Sequence, residues 1–160
     1  MNLNIYGIIT KVNDLIYVGS TNKDIQKRFN EHLSEYKRYK SFINDINKLR
    51  EKLNDNESNI ILNRLIKNKG KKFKSYNILD YGQNSIILLE NYKNLNSIER
   101  DEKERLWIER YKSINLAVNK KLPPIKKEKL NEMQKEVNKW KEDYELNKLE
   151  LNYIAKGYNN

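Results

Sequence analysis

Two short apolar runs near the start of the chain constrain its fold more than any other feature. Residues 4–10 and 15–20 are rich in β-branched side chains, each run contains a tyrosine, and the polar stretch KVND lies between them. Runs of this length and composition around a polar turn are typical of a β-hairpin. The chain is therefore predicted to begin with two antiparallel strands.

Helical patterns follow the hairpin. Thr21 and Asp24 have the spacing of a helix-capping pair. Apolar residues then recur at helical spacing from Ile25 to Tyr36 and again from Phe42 to Leu53. After the polar break NDNES, a third helical stripe runs from Ile61 to Ile66.

The second half of the chain is predicted to add a strand and two more helices. The apolar run Ser85–Glu90 indicates a strand buried in a sheet. Asn96 and Ser97 are expected to cap the helix SIERDEKERLWIERY. The Pro-Pro pair at 123–124 should end the compact part, because proline donates no hydrogen bond and disfavours helix before it. One long charged helix is predicted beyond it, from Lys126 to about Lys156.

The charge of the chain points to a polyanionic partner. The formal net charge is +10, and residues 1–120 carry 23 basic and 15 acidic side chains, or +8 of it. A basic excess in the folded part favours nucleic acid first and an anionic membrane surface second. A coding bias towards Lys, Asn and Ile is the alternative explanation.

Several classes of protein are excluded or disfavoured by what the sequence lacks. There is no cysteine, which excludes disulfides, thiolate metal sites and a cysteine nucleophile. The first residues, MNLNIYGIIT, lack the charged start and long apolar core of a signal peptide, and no apolar run approaches the roughly 20 residues that span a bilayer. We expect a soluble, intracellular protein, in the cytoplasm or at a site of DNA replication, with no membrane partner.

Three polar side chains on predicted helices are candidates for chemistry. Arg28 and His32 lie four residues apart, so they share one side of the first helix. Glu104 shares a helical face with Trp107 and Tyr111, where a carboxylate is costly to bury unless it is paired or binds a cation. A surface arginine, a packed or capping histidine and a salt-bridged glutamate are the structural alternatives. The functional alternative for Glu104 is an oxygen ligand for Mg²⁺.

Together these features resemble the GIY-YIG nuclease family. That family has two paired strands ending in GIY and YIG, then a helix with an arginine, and later a metal-binding glutamate and an asparagine. Here the motifs read NIY at 4–6 and YVG at 17–19, with ten residues between the tyrosines. The family positions match Arg28, His32, Glu104 and Asn115. Asn4 in place of the opening glycine is the one marked departure.

The resemblance covers Ile5 to about Asn119 and carries a fold with it. It implies an α+β domain in which a small three-stranded antiparallel sheet is flanked by helices. A helical hairpin at about 41–72 looks inserted into that domain, which is predicted to span residues 1–122. Residues 123–160 are predicted to form a C-terminal helical extension.

The resemblance also implies a DNA endonuclease. Glu104 would hold one Mg²⁺, for which Mn²⁺ would substitute, and Arg28 would bind the nonbridging phosphate oxygens. Tyr17 or Tyr6 would be the general base with His32 nearby. We favour Tyr17 as the base and Tyr6 as the group that positions the water. Asn115 would close the domain.

The stretch between the second strand and the first helix is predicted to contact DNA. Free backbone N–H groups of Gly19, Ser20 and Thr21 could hold a phosphate at the start of the helix. Lys23 and Lys27 are candidate contacts to the DNA backbone. Further candidates are Lys71, Lys72 and Lys74.

Two other functions compete with the nuclease hypothesis. One is a nucleic-acid-binding module that kept the fold without catalysis. The other is a partner-binding protein that acts through its C-terminal helix. That helix carries an apolar seam at steps of three and four, formed by Leu130, Met133, Val137, Trp140, Tyr144, Asn147, Leu151 and Ile154. The seam favours a homodimer; the alternative is an amphipathic helix folded back on the nuclease domain.

Overall fold

The computed structural model describes the backbone of residues 2–157 and the side chains of residues 2–152. Within this range the chain forms an α+β fold, as predicted. The strands are β1 (Asn2–Thr10), β2 (Ile16–Thr21) and β3 (Asn84–Lys93). The helices are α1 (Ile25–Leu53), α2 (Asn56–Lys69), α3 (Tyr76–Leu79), α4 (Ser97–Ser113) and α5 (Leu130–Gly157), the last preceded by a 3-10 turn at Lys127–Lys129.

The three strands form one antiparallel sheet with β1 in the centre. The order is β2-β1-β3, so the predicted hairpin pairs as expected and β3 adds to the other side of β1. In the hairpin, Tyr6 lies opposite Gly19 and Ile8 lies opposite Tyr17. The register between β1 and β3 shifts between Ile5 and Tyr6, which marks a β-bulge beside the tyrosine.

Helices cover both faces of the sheet because β1 is apolar on both sides. On one face Tyr6 and Ile8 pack with Phe29 of α1 and Ile78 of α3. On the other face Ile5 packs with α4. Side chains of a strand alternate between faces, so a strand buried on both sides must be apolar at successive positions. The residues of β1 from Asn4 to Thr10 meet that requirement almost throughout.

The strand predicted at Ser85–Glu90 is longer and less buried than expected. It spans Asn84–Lys93 and pairs with β1 alone, at the edge of the sheet. Leu88 exposes 52% of its surface. The apolar run suggested a buried strand, but an edge position leaves part of it in contact with solvent.

The other edge of the sheet is covered by the segment that follows α4. The Ile16 backbone N–H donates to the Leu116 carbonyl at 2.9 Å, and the Val118 N–H donates to the Ile16 carbonyl at 2.9 Å. These bonds add a short parallel bridge beside β2. An unpaired strand edge is thereby satisfied within the chain.

The starts of two helices test the predicted caps. Asp24 is the N-cap of α1, since its carboxylate accepts from the Lys27 N–H at 3.0 Å, whereas Thr21 belongs to β2. The helix thus begins three residues later than the Thr21–Asp24 pair predicted. At α4 the prediction holds, because Asn96 caps the helix and forms a reciprocal capping box with Glu99.

The inserted region extends α1 and adds α2. The helix α1 continues without a break through Ser41 to Leu53, so the two predicted stripes belong to one helix. The chain reverses at Asn54, whose φ is 20°, and α2 returns along α1 with Leu62 buried. Gly70 ends α2 close to Phe42, where an added Cβ would lie 3.1 Å from Phe42 Cε1. The sequence did not predict α3, which has only four residues.

The long C-terminal helix packs on α4. Val137 is buried, and the Trp140 ring lies edge-on against Tyr111 of α4 with centroids 5.4 Å apart. Tyr144 stacks on Trp140 at 5.4 Å. The predicted seam therefore packs on α4 of the same chain. The side chain of Ile154 lies outside the described residues.

A search of the described helices found none with the length and apolarity needed to cross a bilayer.

Candidate active site

The hairpin brings the two motif tyrosines to one side of the sheet. Tyr6 and Tyr17 occupy diagonal positions on neighbouring strands, because Tyr17 pairs with Ile8. The ring of His32 from α1 contacts both, with centroids 5.8 Å from Tyr6 and 6.0 Å from Tyr17. The Tyr6 hydroxyl and His32 Nε2 are 2.7 Å apart. Residues from three elements thus meet at one point.

The glycine of the YVG motif makes room for the first tyrosine. A Cβ on Gly19 would lie 2.6 Å from the Tyr6 hydroxyl oxygen and 2.7 Å from Tyr6 Cζ. Both atoms belong to a buried ring, since Tyr6 exposes only 1% of its surface. A larger residue at position 19 would therefore displace the phenol from His32.

His32 is held as a neutral imidazole. It is buried, and its Nδ1 lies 3.0 Å from the Ser75 hydroxyl oxygen. Burial lowers the pKa of His32 to about 4, and the nearby positive charge of Arg28 acts in the same direction. A neutral imidazole has one donor and one acceptor nitrogen. The bond network is satisfied when the Tyr6 hydroxyl donates to Nε2 and the Nδ1–H donates to Ser75.

Arg28 lies beside the phenol of Tyr6. Its Nη1 donates to Glu31 Oε2 at 2.9 Å, in a pair that is partly exposed. Burial raises the pKa of Tyr6, while a hydrogen bond and the charge from Arg28 oppose that rise. Burial also raises the pKa of Tyr17, and there Arg28 opposes it only through its charge. Tyr6 is therefore the phenol with the closer cationic partner.

Glu104 approaches the same cluster from α4. The Ser20 hydroxyl donates to Glu104 Oε2 at 2.5 Å. Burial raises the pKa of Glu104 and the charge of Asp101 adds to the rise, whereas Ser20, Lys74 and Arg100 lower it. The negative charge of Glu104 also raises the pKa of both tyrosines. The carboxylate predicted to bind metal is thus close enough for its charge to act on both phenols.

The donor set suits a hard cation that needs few protein ligands. Among the residues whose side chains are described, no group of three or more His, Cys, Asp or Glu could hold an ion together. Mg²⁺ commonly takes one or two carboxylates and keeps several waters. A half-buried carboxylate with a raised pKa and one hydroxyl neighbour gains from a cation that replaces its lost hydration. Glu104 fits that role.

The stretch from 19 to 21, whose backbone amides were predicted to hold a phosphate, is part of a strand rather than of the turn before α1. Gly19, Ser20 and Thr21 belong to β2 and pair with β1. The N-terminus of α1 is already capped by Asp24. A carboxylate at that position competes with a phosphate for the same N–H groups.

The two lysines predicted near the start of α1 differ in their surroundings. Lys23 forms an ion pair with Glu31, with Nζ 2.6 Å from Oε1. Lys27 is exposed. Of this pair, Lys27 is the more available contact for DNA.

Asn119, and not the predicted Asn115, makes the contact that joins the segment after α4 to the edge of β2. The Val18 N–H donates to Asn119 Oδ1 at 2.9 Å, and Asn119 Nδ2 donates to the Val18 carbonyl at 2.9 Å. The side-chain amide thus imitates a backbone partner for the edge of β2. Asn115 is exposed and adopts a φ of 61° at the turn after α4. Both asparagines lie in SINLAVNK, and only the contact across the fold distinguishes them.

Two further residues support the site without a signal in the sequence. Ser75 bonds His32 although it lies 43 residues away in the chain. Asn4, the departure from the family motif, donates through Nδ2 to the Lys23 carbonyl at 3.0 Å and accepts from Asn91 Nδ2 at 2.6 Å. The asparagine therefore joins β1 to β3 and to the stretch before α1, which a glycine could not do.

Comparison with known proteins gives one match. A family model described as the GIY-YIG catalytic domain matches residues 2–121. No curated protein and no solved structure matches the chain significantly.

Proposed function

The chain belongs to the GIY-YIG catalytic domain family and is an endonuclease; on that premise we propose that it hydrolyses DNA with a divalent metal ion, Mg²⁺, held by Glu104. One observation carries the proposal. Tyr6, Tyr17, Arg28 and His32 come from three elements and lie close together, and the charge of Glu104, from a fourth element, acts on both phenols. Phosphodiester hydrolysis needs a base, a cation for the phosphate charge and help for the leaving oxygen.

Glu104 would hold the metal with the Ser20 hydroxyl beside it. A divalent cation at this position supplies polarisation of the scissile phosphate and stabilisation of the departing 3′ oxygen. Mn²⁺ prefers the same oxygen ligands and would substitute. The raised pKa of Glu104 is consistent with a carboxylate that is short of partners in the free protein.

Arg28 would bind the nonbridging phosphate oxygens. Its guanidinium is partly exposed and touches the cluster through Tyr6, and its pairing with Glu31 uses Nη1. The planar fork of arginine offers two parallel N–H groups to two oxygens, which an ammonium group cannot do. Bound phosphate would also offset the positive charge that lowers the pKa of His32.

Tyr6 is the better candidate for the general base, which reverses the preference stated from the sequence. Its hydroxyl lies 2.7 Å from His32 Nε2, and Arg28 opposes the rise in its pKa, whereas Tyr17 shows only a ring contact with His32. As Tyr6 takes a proton from the attacking water, its own hydroxyl proton would pass to His32 Nε2. Ser75 would then accept from Nδ1–H of the imidazolium. Tyr17 would position the water.

A cleavage assay on supercoiled plasmid tests the proposal. The wild type is incubated with Mg²⁺ or with EDTA beside Glu104→Gln and the control Glu109→Gln, which removes another carboxylate from α4. We expect Mg²⁺-dependent nicking or linearisation in the wild type and the control. Loss of the Glu104 carboxylate should cost at least about 10²-fold, the scale of losing one group that stabilises transition-state charge.

The alternative functions give different results. DNA binding without cleavage under any divalent metal would indicate a non-catalytic module. DNA that is neither bound nor cut would point to the partner-binding function of α5. Full activity in Glu104→Gln would contradict the assigned metal ligand.

A further inference from the structure

A run of positive charge leads from the inserted hairpin to the candidate active site. Residues 64–74, RLIKNKGKKFK, contain six basic side chains and no acidic one. We call residues 64–74 the basic segment. Every one of its charged side chains is exposed: Arg64, Lys67, Lys69, Lys71, Lys72 and Lys74.

The two ends of the basic segment lie in different parts of the fold. Its first half belongs to α2, which packs on α1 and not on the sheet. Its second half runs from Gly70 to Lys74 and leads directly into Ser75, the partner of His32. One end of the segment is therefore at the catalytic cluster.

Most of this charge is not neutralised by the protein. Lys72 lies 3.4 Å from Asp80, which it shares with Lys40, and both of these contacts are exposed. Exposed pairs of this kind contribute little. None of Arg64, Lys67, Lys69 or Lys74 forms an ion pair with a residue that the structure describes.

Local helix stability explains only part of the pattern. Basic residues in the last turn of a helix are favoured by the helix dipole, and Lys67 and Lys69 lie in the last turn of α2. Arg64 lies a turn earlier, and the other three lysines follow the end of the helix. Like charges this close repel one another, so the fold gains nothing from keeping six of them together.

We propose that the basic segment binds the phosphates of duplex DNA beside the scissile bond and so holds one arm of the substrate. The proposal rests on the proposed function, since it requires DNA at the active site. The rise of about 1.5 Å per helical residue over 64–69, followed by at most about 3.5 Å per extended residue to Lys74, gives a reach of up to roughly 25 Å. At about 3.4 Å per base pair, this corresponds to an arm of about seven base pairs.

The test compares DNA arms of different length. Arg64→Gln/Lys67→Gln/Lys69→Gln removes three charges that make no ion pair within the described chain. The matched control is Lys135→Gln/Lys139→Gln/Lys148→Gln on α5, which packs on α4 across the sheet from α1. Both triple variants are assayed for cleavage, and both are combined with Glu104→Gln for binding to duplexes by fluorescence anisotropy over a salt series.

We expect the wild type to bind a duplex that extends 15 base pairs on each side of the scissile bond about tenfold or more tightly than a duplex in which one side is cut to 4 base pairs. The basic-segment variant should lose that preference. The slope of its log binding constant against log salt concentration should fall in magnitude by about 2 to 3, since each phosphate contact contributes about 0.9. The α5 control should keep both. At subsaturating DNA the basic-segment variant should cleave more slowly than the wild type in proportion to its lost affinity, and the α5 control should cleave at the wild-type rate.

The possible outcomes distinguish a failure of this proposal from a failure of the proposed nuclease function. DNA cleavage by the wild type with unchanged affinity, salt slope and arm preference in the basic-segment variant would overturn the proposal and leave the nuclease function standing. DNA binding that depends on the basic segment, without cleavage under any metal, would support DNA binding by this segment. It would contradict the proposed nuclease activity. Tighter binding of duplex RNA than DNA would overturn the assignment to DNA.

Discussion

His32 is the residue on which the proposed proton transfer depends. It lies between the Tyr6 hydroxyl and Ser75, and its burial keeps it neutral at pH 7. A neutral imidazole can accept a proton from the phenol, which a charged one cannot. The depressed pKa is therefore consistent with a proton acceptor, and its cause is packing between β1, α1 and the start of α3.

The pKa of His32 predicts how stability changes with pH. Because the pKa is about 4 in the folded protein and about 6.5 in the unfolded chain, the unfolded chain binds more protons between these values. The free energy of unfolding should fall as the pH drops from about 6.5 to about 4, by up to about 3 kcal/mol from this group. Urea denaturation at pH 7 and pH 4.5 measures it. If His32→Gln shows the same pH dependence as the wild type, the imidazole is not buried in its neutral form.

Arg28 gives a second prediction at this scale. Arg28→Lys keeps the positive charge but removes the fork that can meet two phosphate oxygens. We expect a loss of about 10²-fold in cleavage with little change in stability, because the pair with Glu31 is partly exposed. Single-turnover cleavage rates measure the loss. A lysine variant with near-normal rates would reduce Arg28 to a surface charge.

Contacts at the edge of the sheet, as well as packing on its faces, position the residues of the second motif. β2 is an edge strand, and its outer side is bonded to the segment after α4. Asn119 completes this contact at Val18, next to Gly19 of the second motif. The position of Tyr17 and Gly19 therefore depends on a residue about 100 positions later in the chain.

Replacing the two candidate asparagines tests that dependence. Asn119→Ala would leave the buried N–H and carbonyl of Val18 without their side-chain partner, which should cost about 2–4 kcal/mol of stability. Asn115→Gly should be neutral or slightly stabilising, because glycine tolerates a φ of 61° better than asparagine. Thermal or urea unfolding of both variants gives the comparison. If both variants lose the same free energy of unfolding, Asn119 has no larger part than Asn115 in holding the edge of β2.

At the scale of the whole molecule, α5 is joined to the nuclease domain. Three members of the predicted seam are held in the structure: Val137 is buried, Trp140 packs against Tyr111 of α4, and Tyr144 stacks on Trp140. The outward part of the helix keeps some apolar surface, with Leu151 67% exposed. These contacts favour a helix that is folded back on its own domain. They count against the homodimer that the seam pattern predicted.

We accordingly expect the chain to sediment as a monomer of 19.3 kDa at micromolar concentration. Trp140→Ala should lower the free energy of unfolding by about 3 kcal/mol, as for other large-to-small changes at packed aromatic residues, without changing the mass. Analytical ultracentrifugation and urea unfolding measure the two effects. A dimer mass that reverts to monomer in Trp140→Ala would show that α5 pairs with a second copy.

The sequence by itself determined most of the elements and indicated the candidate catalytic side chains. The hairpin, the Asn96 cap and the break at NDNES depend on neighbours within a few residues, so local patterns suffice to predict them. The order of Tyr6, Tyr17, Arg28, His32 and Glu104 also resembles a known family, and residues 2–121 match that family's model. These features could be predicted because they depend on the spacing of residues along the chain.

Only the tertiary structure decided how those residues are held and which of two equivalent ones is used. Asn119 and Val18 are 101 residues apart, and Ser75 and His32 are 43 apart. Nothing local distinguishes Asn119 from Asn115, or the partners of Tyr6 from those of Tyr17. The same holds for α5, whose seam suits either a second helix of its kind or the aromatic face of α4. Burial and hydrogen bonding depend on which distant surfaces meet, and spacing along the chain does not contain that information.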